Sequence, residues 1–188
     1  IDLLGNVLEE GDILVTSGSL PPGVPEDFNV LTAKIAVGTH ASFVLDAPGE
    51  VLKSLEQTPV CWITPNQNEF ESLIGHEVAD DQLEDALTSF IEDTAFENIL
   101  LTLGSKGVCY AGVEGNWRIP APEVEKRSSV GAGDSAVAGL ILGLAREEGP
   151  LISSRWAVAA GAAAVMTPGT ELLNAKDVKS LLNEVSTI

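Results

Sequence analysis

Directly before an amphipathic helical stretch the chain reads Ser128-Ser129-Val130-Gly131-Ala132-Gly133-Asp134-Ser135. Two glycines flank one alanine here, and glycine lets the backbone adopt dihedral angles at which successive N–H groups converge on one point. These donors would lie at the positive end of a helix, where an anion such as phosphate is bound readily. The stretch therefore predicts an anion site at a helix N-terminus.

Asp134 is the unusual residue of this stretch, because it puts a carboxylate beside the predicted anion site. An aspartate in such a place is often an N-cap, whose side chain accepts a hydrogen bond from the first turn of the helix. Beside a bound phosphate, the same carboxylate can instead accept a proton from an incoming hydroxyl group. The residues alone leave both interpretations open.

Outward from this stretch, short apolar runs alternate with helical periodicity. The runs that we predict as strands are Ile13–Thr16, Phe43–Asp46, Val60–Thr64 and Ile99–Thr102. Their continuous apolar character predicts strands covered on both faces, and strand–helix–strand order predicts a largely parallel sheet with right-handed crossovers. One apolar helical stripe between them consists of Leu83, Ala86, Leu87, Phe90 and Ile91.

The pattern changes after the fourth strand. Val108–Ala111 and Trp117–Ile119 predict an antiparallel hairpin, and three helices follow, of which the second is rich in alanine and suited to close backbone packing. No linker divides the chain, so we expect a single α/β domain over residues 1–188. The first strand resembles an interior strand, and we therefore expect the chain to begin in mid-domain.

Composition excludes several classes of protein. The chain has 28 acidic residues against 10 Lys and Arg, a net charge of −18, which argues against nucleic acid or an anionic membrane as a partner. An apolar content of 45% excludes a disordered acidic tail. Cys61 and Cys109 form no metal pattern and predict buried thiols in a reducing compartment. Without a signal peptide or a membrane-spanning apolar run, the sequence predicts a soluble, cytoplasmic protein.

Five stretches in one order resemble the ribokinase-type (PfkB) carbohydrate kinases. Val130–Ser135 is similar to the C-terminal motif of that family, and Ser17–Gly23 to a sugar-phosphate segment of its hexose-phosphate branch. Pro65–Glu69 matches the Asn-x-x-Glu motif, Thr102–Gly107 the nucleotide loop, and Ala159–Thr170 the segment around the adenine pocket. The resemblance implies a three-layer α/β/α ribokinase-like fold with a mainly parallel sheet, truncated at its N-terminus.

The resemblance also implies an activity, namely ATP-dependent phosphorylation of a hexose phosphate. Asp134 would be the general base, and the backbone N–H groups of Gly131, Ala132 and Gly133 would form the anion hole for the γ-phosphoryl group. Fructose-6-phosphate is the expected acceptor, with 1-phosphofructokinase and tagatose-6-phosphate kinase as alternatives. A nucleotide-binding remnant without catalysis is the alternative of another class. A dinucleotide-binding dehydrogenase is disfavoured because the glycine motif lies late and lacks its third glycine.

Further residues acquire roles through the same resemblance. Asn66 and Glu69 would act through Mg²⁺ and its waters near the nucleotide phosphates, although the residues alone also fit a capping box at a helix start. Ser19 would contact the sugar phosphate. The residues expected to bind the nucleotide are Thr102, Gly104, Gly107 and Gly169. A monovalent-cation site, for K⁺, corresponds in some relatives to Ser128, Val130, Ala164 and Gly169.

Two departures from the family pattern bear on activity. Relatives often have a lysine before the proline of the Asn-x-x-Glu motif, whereas this chain has Thr64, and Lys106 is a candidate to compensate for the lost charge. Relatives also have further residues upstream, including a β-sheet lid that forms a dimer and an acidic residue that orients the sugar. We therefore expect these residues alone to be inactive or very weak, and the full-length protein to be a possible homodimer.

Overall fold

The computed structural model describes residues 1–186, in which six strands form one mixed sheet in chain order. The strands are β1 (Ile13–Ser17), β2 (Ser42–Asp46), β3 (Trp62–Ile63), β4 (Asn98–Thr102), β5 (Val108–Gly112) and β6 (Gly115–Ile119). The helices are α1 (Asp2–Val7), α2 (Phe28–Thr39), α3 (Gly49–Lys53), α4 (Gln67–Ile74), α5 (Leu83–Asp93), α6 (Ala132–Leu144), α7 (Gly149–Val165) and α8 (Ala175–Glu184). Short 3₁₀ turns lie at Asp80–Gln82 and Gly104–Lys106.

The chain forms two compact units. The first comprises Ile1–Leu101 with Ala111–Asn116, and the second comprises Thr102–Tyr110 with the chain from Trp117 onward. No helix of the described residues is both long and apolar enough to cross a membrane. The single domain expected over residues 1–188 stays a prediction.

In the first unit the strands are parallel, as predicted from the alternation of apolar runs and helices. Leu14 of β1 lies beside Phe43 of β2, Val44 of β2 beside Trp62 of β3, and Ile63 of β3 beside Ile99 of β4. β2, β3 and β4 have buried residues on both faces, as expected of strands covered by helices, whereas no residue of β1 is fully buried. In α5, Leu83 and Leu87 of the predicted stripe are both fully buried.

Two strand predictions are corrected. The ladder of β3 is only two residues long, because the side-chain amide of Asn98 donates to the Cys61 carbonyl at 2.8 Å and takes the place of a ladder bond. Val60 forms an isolated bridge with Phe96 instead. Within the described residues β1 is the edge strand, pairing only with β2, and its residues are half-buried or exposed rather than interior.

The second unit is built around closely packed helices. The alanine-rich α7 packs on α6 so tightly that a Cβ at Gly143 would lie 2.5 Å from the Ser153 Cα, and one at Gly139 would overlap the Trp156 carbonyl oxygen. This close approach is what the alanine content predicted. β5 and β6 follow each other through two residues and are neighbours in the sheet, so they form the predicted antiparallel hairpin.

The cysteines differ in burial. Cys109 is fully buried, as expected, whereas Cys61 is half-buried because it lies where the β3 ladder is interrupted. Desolvation by this partial burial raises the pKa of the Cys61 thiol above its ordinary value. Within the described residues neither cysteine forms a disulfide.

Candidate active site

The glycine-rich stretch forms the start of α6. Gly131 is the N-cap with φ +75°, a left-handed conformation that favours glycine, and no side chain caps the helix. The Ala132 N–H makes one long bond of 3.4 Å to the Ser129 carbonyl. Within residues 1–186, the N–H groups of Gly133 and Asp134 meet no acceptor. These amides remain available to an anion at the positive end of the helix.

Asp134 occupies the third position of α6 and is exposed. The helix-cap interpretation of this residue is wrong, because Gly131 holds the N-cap position and Asp134 lies three residues inside. No donor in the part of the chain that the structure describes bonds to the Asp134 carboxylate. Its position in the first turn is favourable for a negative charge, and the carboxylate is left free for a ligand.

A cavity of about 660 Å³ lies within the second unit, beside this helix start. That volume falls within the usual range of small-molecule and cofactor sites. Its wall includes Ala132 and Gly133 of α6 together with Ser129. It also includes three residues predicted to bind the nucleotide, namely Thr102, Gly104 and Gly107. The structure thus brings the predicted anion site and the predicted nucleotide loop to one cavity.

Gly107 lies in the loop after β4, the predicted nucleotide loop, and shows why this loop needs glycine. Its φ is +95°, and a Cβ there would overlap the Ile119 carbonyl oxygen and lie 2.6 Å from the Ala121 amide nitrogen. The Leu103 N–H donates to the Gly107 carbonyl at 2.8 Å and closes the loop after β4. A plain turn would need only the positive φ, whereas this position also needs the absence of a side chain.

Sequence reasoning missed most of the apolar wall of the cavity. One face of α7 contributes Ala157, Val158, Gly161, Ala162 and Val165, and the segment after β6 contributes Ala121, Pro122 and Val124. The alanine content of α7 predicted close packing and the family resemblance placed Ala159–Thr170 around the adenine pocket, but neither singled out Ala157 and Val158, which also line the cavity. A flat, apolar wall of this kind suits the face of a heteroaromatic ring.

The segment before the glycine-rich stretch brings charge to the cavity. Glu123 and Lys126 line it, and neither was predicted as a site residue. The N–H groups of Arg127 and Ser128 both donate to the Val165 carbonyl, at 2.9 and 3.2 Å, and fix this segment against the end of α7. The Ser128 hydroxyl then accepts a hydrogen bond from the Val130 N–H at 3.1 Å.

In the first unit, polar side chains gather where parallel strands end. The Asp46 carboxylate, at the end of β2, accepts hydrogen bonds from the Ser17 hydroxyl at 2.8 Å and the Thr64 hydroxyl at 3.1 Å. Ligands of α/β proteins bind at this edge of a parallel sheet. Ser19 lies two residues beyond β1 and is exposed.

Asn66 and Glu69 form the capping box at the start of α4. The Asn66 side chain accepts from the Glu69 N–H at 3.0 Å, and the Glu69 carboxylate accepts from the Asn66 N–H at 2.9 Å. Among residues 1–186 no group of three or more metal-binding side chains is found. The pair still fits a hydrated Mg²⁺, because one Glu69 carboxylate oxygen remains for a metal-bound water and Mg²⁺ keeps several waters. The structural role is therefore shown, and the metal role stays a prediction.

Of the predicted monovalent-cation residues, Ala164 fits a cation poorly. The Ala164 carbonyl oxygen already accepts hydrogen bonds from the Thr167 N–H at 3.1 Å and the Thr167 hydroxyl at 2.8 Å. A carbonyl oxygen has two lone pairs, so none is left for a metal ion. Gly169, with φ +60°, lies in the turn after α7 and is not among the residues that line the cavity.

A cavity at the glycine-rich N-terminus of a helix is an arrangement that phosphate-binding α/β proteins share. Comparison with known proteins narrows that class. The model of the pfkB family carbohydrate kinases matches residues 4–177, and the chain therefore belongs to that family.

Three comparisons show which known proteins this chain is similar to. It is 31% identical over 176 residues to ATP-dependent 6-phosphofructokinase isozyme 2 of Escherichia coli, covering 93% of this chain and 57% of that protein. A crystal structure of phosphofructokinase-2 from E. coli in complex with substrates and products superposes with a TM-score of 0.88 at 29% identity, over 97% of this chain and 60% of that one. Ribokinase from Thermotoga maritima shares the fold, with a TM-score of 0.74 at 22% identity over 95% and 59% of the two chains. The chain thus spans somewhat more than half the length of these relatives.

Proposed function

We propose that the protein transfers the γ-phosphoryl group of ATP to a hexose phosphate, with fructose-6-phosphate as the acceptor. The observation that carries this proposal is the start of α6, where Ala132 and Gly133 line a nucleotide-sized cavity, the Gly133 N–H meets no acceptor within residues 1–186, and the exposed carboxylate of Asp134 follows. The E. coli relative in the comparison is an ATP-dependent 6-phosphofructokinase, which supports the same donor and acceptor here.

The chemistry follows from the order of groups along the first turn. Asp134 accepts the proton of the C1 hydroxyl of fructose-6-phosphate, and the hydroxyl oxygen attacks the γ-phosphorus of ATP. The bond between the γ-phosphorus and the β–γ bridging oxygen breaks, so that ADP leaves and fructose-1,6-bisphosphate forms. The Ala132 and Gly133 amides face the cavity and stabilise the charge on the γ-phosphoryl oxygens during transfer.

ATP fits the cavity by chemistry as well as by volume. The apolar faces of α7 and of the segment after β6 suit the adenine ring, while the amides at the start of α6 suit phosphate. Mg²⁺, when bound, would neutralise phosphate charge, and Glu69 is the residue of this chain that would hold it through water. A role for Ser19 in sugar-phosphate binding is proposed from its motif alone.

The test is phosphoryl transfer by the product of the complete reading frame that encodes these residues. We expect transfer from ATP to fructose-6-phosphate with a higher kcat/KM than to tagatose-6-phosphate or fructose-1-phosphate. Asp134→Asn should lower kcat by at least about 10²-fold, the contribution of a general base, without changing the affinity for ATP.

Asp177→Asn is the matched control. Asp177 is also the third residue of an exposed helix start, that of α8, so its substitution removes the same favourable interaction with a helix N-terminus. We expect this variant to retain full activity. ATP binding without transfer to any of the three sugar phosphates would favour the non-catalytic nucleotide-binding alternative, and absence of ATP binding would exclude the kinase assignment.

A further inference from the structure

The proposed nucleotide cavity has little positive charge for a ligand as anionic as ATP. The chain carries a net charge of −18, and the position before the proline of the Asn-x-x-Glu motif is Thr64. Thr64 is buried and donates its hydroxyl hydrogen bond to Asp46 in the first unit. Lys106, the candidate to compensate, is absent from the residues that line the cavity.

Lys126 is the one cationic side chain among the described residues that line this cavity. It is exposed, and within residues 1–186 no carboxylate lies within ion-pair distance of its ammonium group. The neighbouring Glu125 pairs with Arg127 at 4.0 Å. Lys126 is thus a cation without an internal partner at the rim of a cavity whose other charged wall residue is Glu123.

The backbone next to Lys126 is hydrogen-bonded to a residue of the cavity wall. Arg127 and Ser128 donate to the Val165 carbonyl, and Val165 is part of the wall. Six residues after Lys126 come the Ala132 amide and then the Gly133 amide, which line the same cavity. The side chain therefore projects from an anchored segment that leads directly into the anion site.

We infer that Lys126 binds the phosphates of the nucleotide and supplies the positive charge that the rest of the cavity wall lacks. This inference rests on the proposed function and goes beyond it, since it assigns the phosphate contact to a residue outside the glycine-rich motif. Lys126 acts on the affinity for the triphosphate, while Asp134 and the α6 amides act on transfer. Its effect is electrostatic and therefore falls as salt rises.

The experiment compares two ligands that differ only in their phosphates. Calorimetry on the same full-length protein measures the Kd of ATP and of adenosine for the wild type and for Lys126→Gln. We expect the substitution to weaken ATP binding about fivefold at low salt, the size of one exposed ion pair, and to leave adenosine binding unchanged. Lys126→Arg should restore most of the ATP affinity.

Arg127→Gln serves as the matched control, because it removes a neighbouring cation whose partner is Glu125 and which does not line the cavity. It should change the Kd of ATP less than twofold. Equal losses of ATP and adenosine affinity in Lys126→Gln, or no loss of ATP affinity, would overturn the inference and leave the proposed function intact. If the wild-type protein binds neither ATP nor adenosine, the assignment of this cavity to a nucleotide is wrong.

Discussion

At the scale of single residues, glycines decide the geometry of the cavity wall more than any reactive side chain does. Gly107 combines a positive φ with direct backbone contact, since a Cβ at this position would overlap the Ile119 carbonyl oxygen. Gly115, in the neighbouring hairpin strand, has φ +117° but open space around it. A substitution at Gly115 therefore causes backbone strain alone, whereas one at Gly107 causes both strain and steric overlap.

Gly107→Ala should lower the free energy of unfolding by about 2–4 kcal/mol. The backbone of Ile119–Ala121 must move to make room for the new Cβ, and the alanine itself must adopt a strained, positive φ. Gly115→Ala should cost only about 1–2 kcal/mol, the price of the left-handed conformation for a residue with a Cβ. Urea unfolding followed by circular dichroism measures both. Equal losses in the two variants would contradict the close contact at Gly107.

At the scale of elements, the pairing of α6 with α7 holds the site in place. The first turn of α6 presents the free amides, and one face of α7 forms the apolar wall of the cavity. The distance between the two helices is set by Gly139 and Gly143, where the α7 backbone and Ser153 occupy the space of a side chain. A larger residue at either position would push the helices apart and change the cavity.

Gly139→Ala tests this packing against intrinsic helix propensity. Alanine is the better helix former, yet overlap with the Trp156 carbonyl oxygen should lower the free energy of unfolding by about 1–3 kcal/mol. Gly38→Ala in α2 is the control, because a Cβ at Gly38 meets nothing within 4 Å. It should raise stability by up to about 1 kcal/mol. Thermal and urea unfolding distinguish the two signs.

At the scale of the whole molecule, acidity is the dominant property. The net charge of −18 is spread over 188 residues, and repulsion among like charges destabilises a compact state. A local anion site is still compatible with this charge, because amides at a helix start act over a few ångströms while distant carboxylates are screened by salt.

Salt should therefore stabilise the protein. Raising NaCl from about 0.01 M to about 0.15 M shortens the screening length from roughly 30 to 8 Å and should raise the Tm, with a smaller gain beyond that range. Differential scanning calorimetry at fixed pH measures the effect. A Tm that stays constant or falls over this range would show that ion pairs, rather than repulsion, dominate the surface electrostatics.

The sequence could predict those features that depend on neighbouring residues. Backbone sterics and hydrogen bonding are local, so the glycines at 131 and 133 predicted the start of α6, and Asn66 with Glu69 predicted a capping box. Apolar periodicity likewise predicted the parallel strands and the stripe of α5, because burial imposes its period on the sequence.

Only the tertiary structure decided which distant residues meet. Lys126 and the alanines of α7 share a cavity with the nucleotide loop because the backbone of 127–128 is hydrogen-bonded to Val165. Thr64 is held by Asp46, 18 positions away, and Asn98 shortens β3 by bonding to Cys61, 37 positions away. Contacts between residues so far apart leave no periodic or local trace in the chain, since they arise only when the packed elements bring those side chains together.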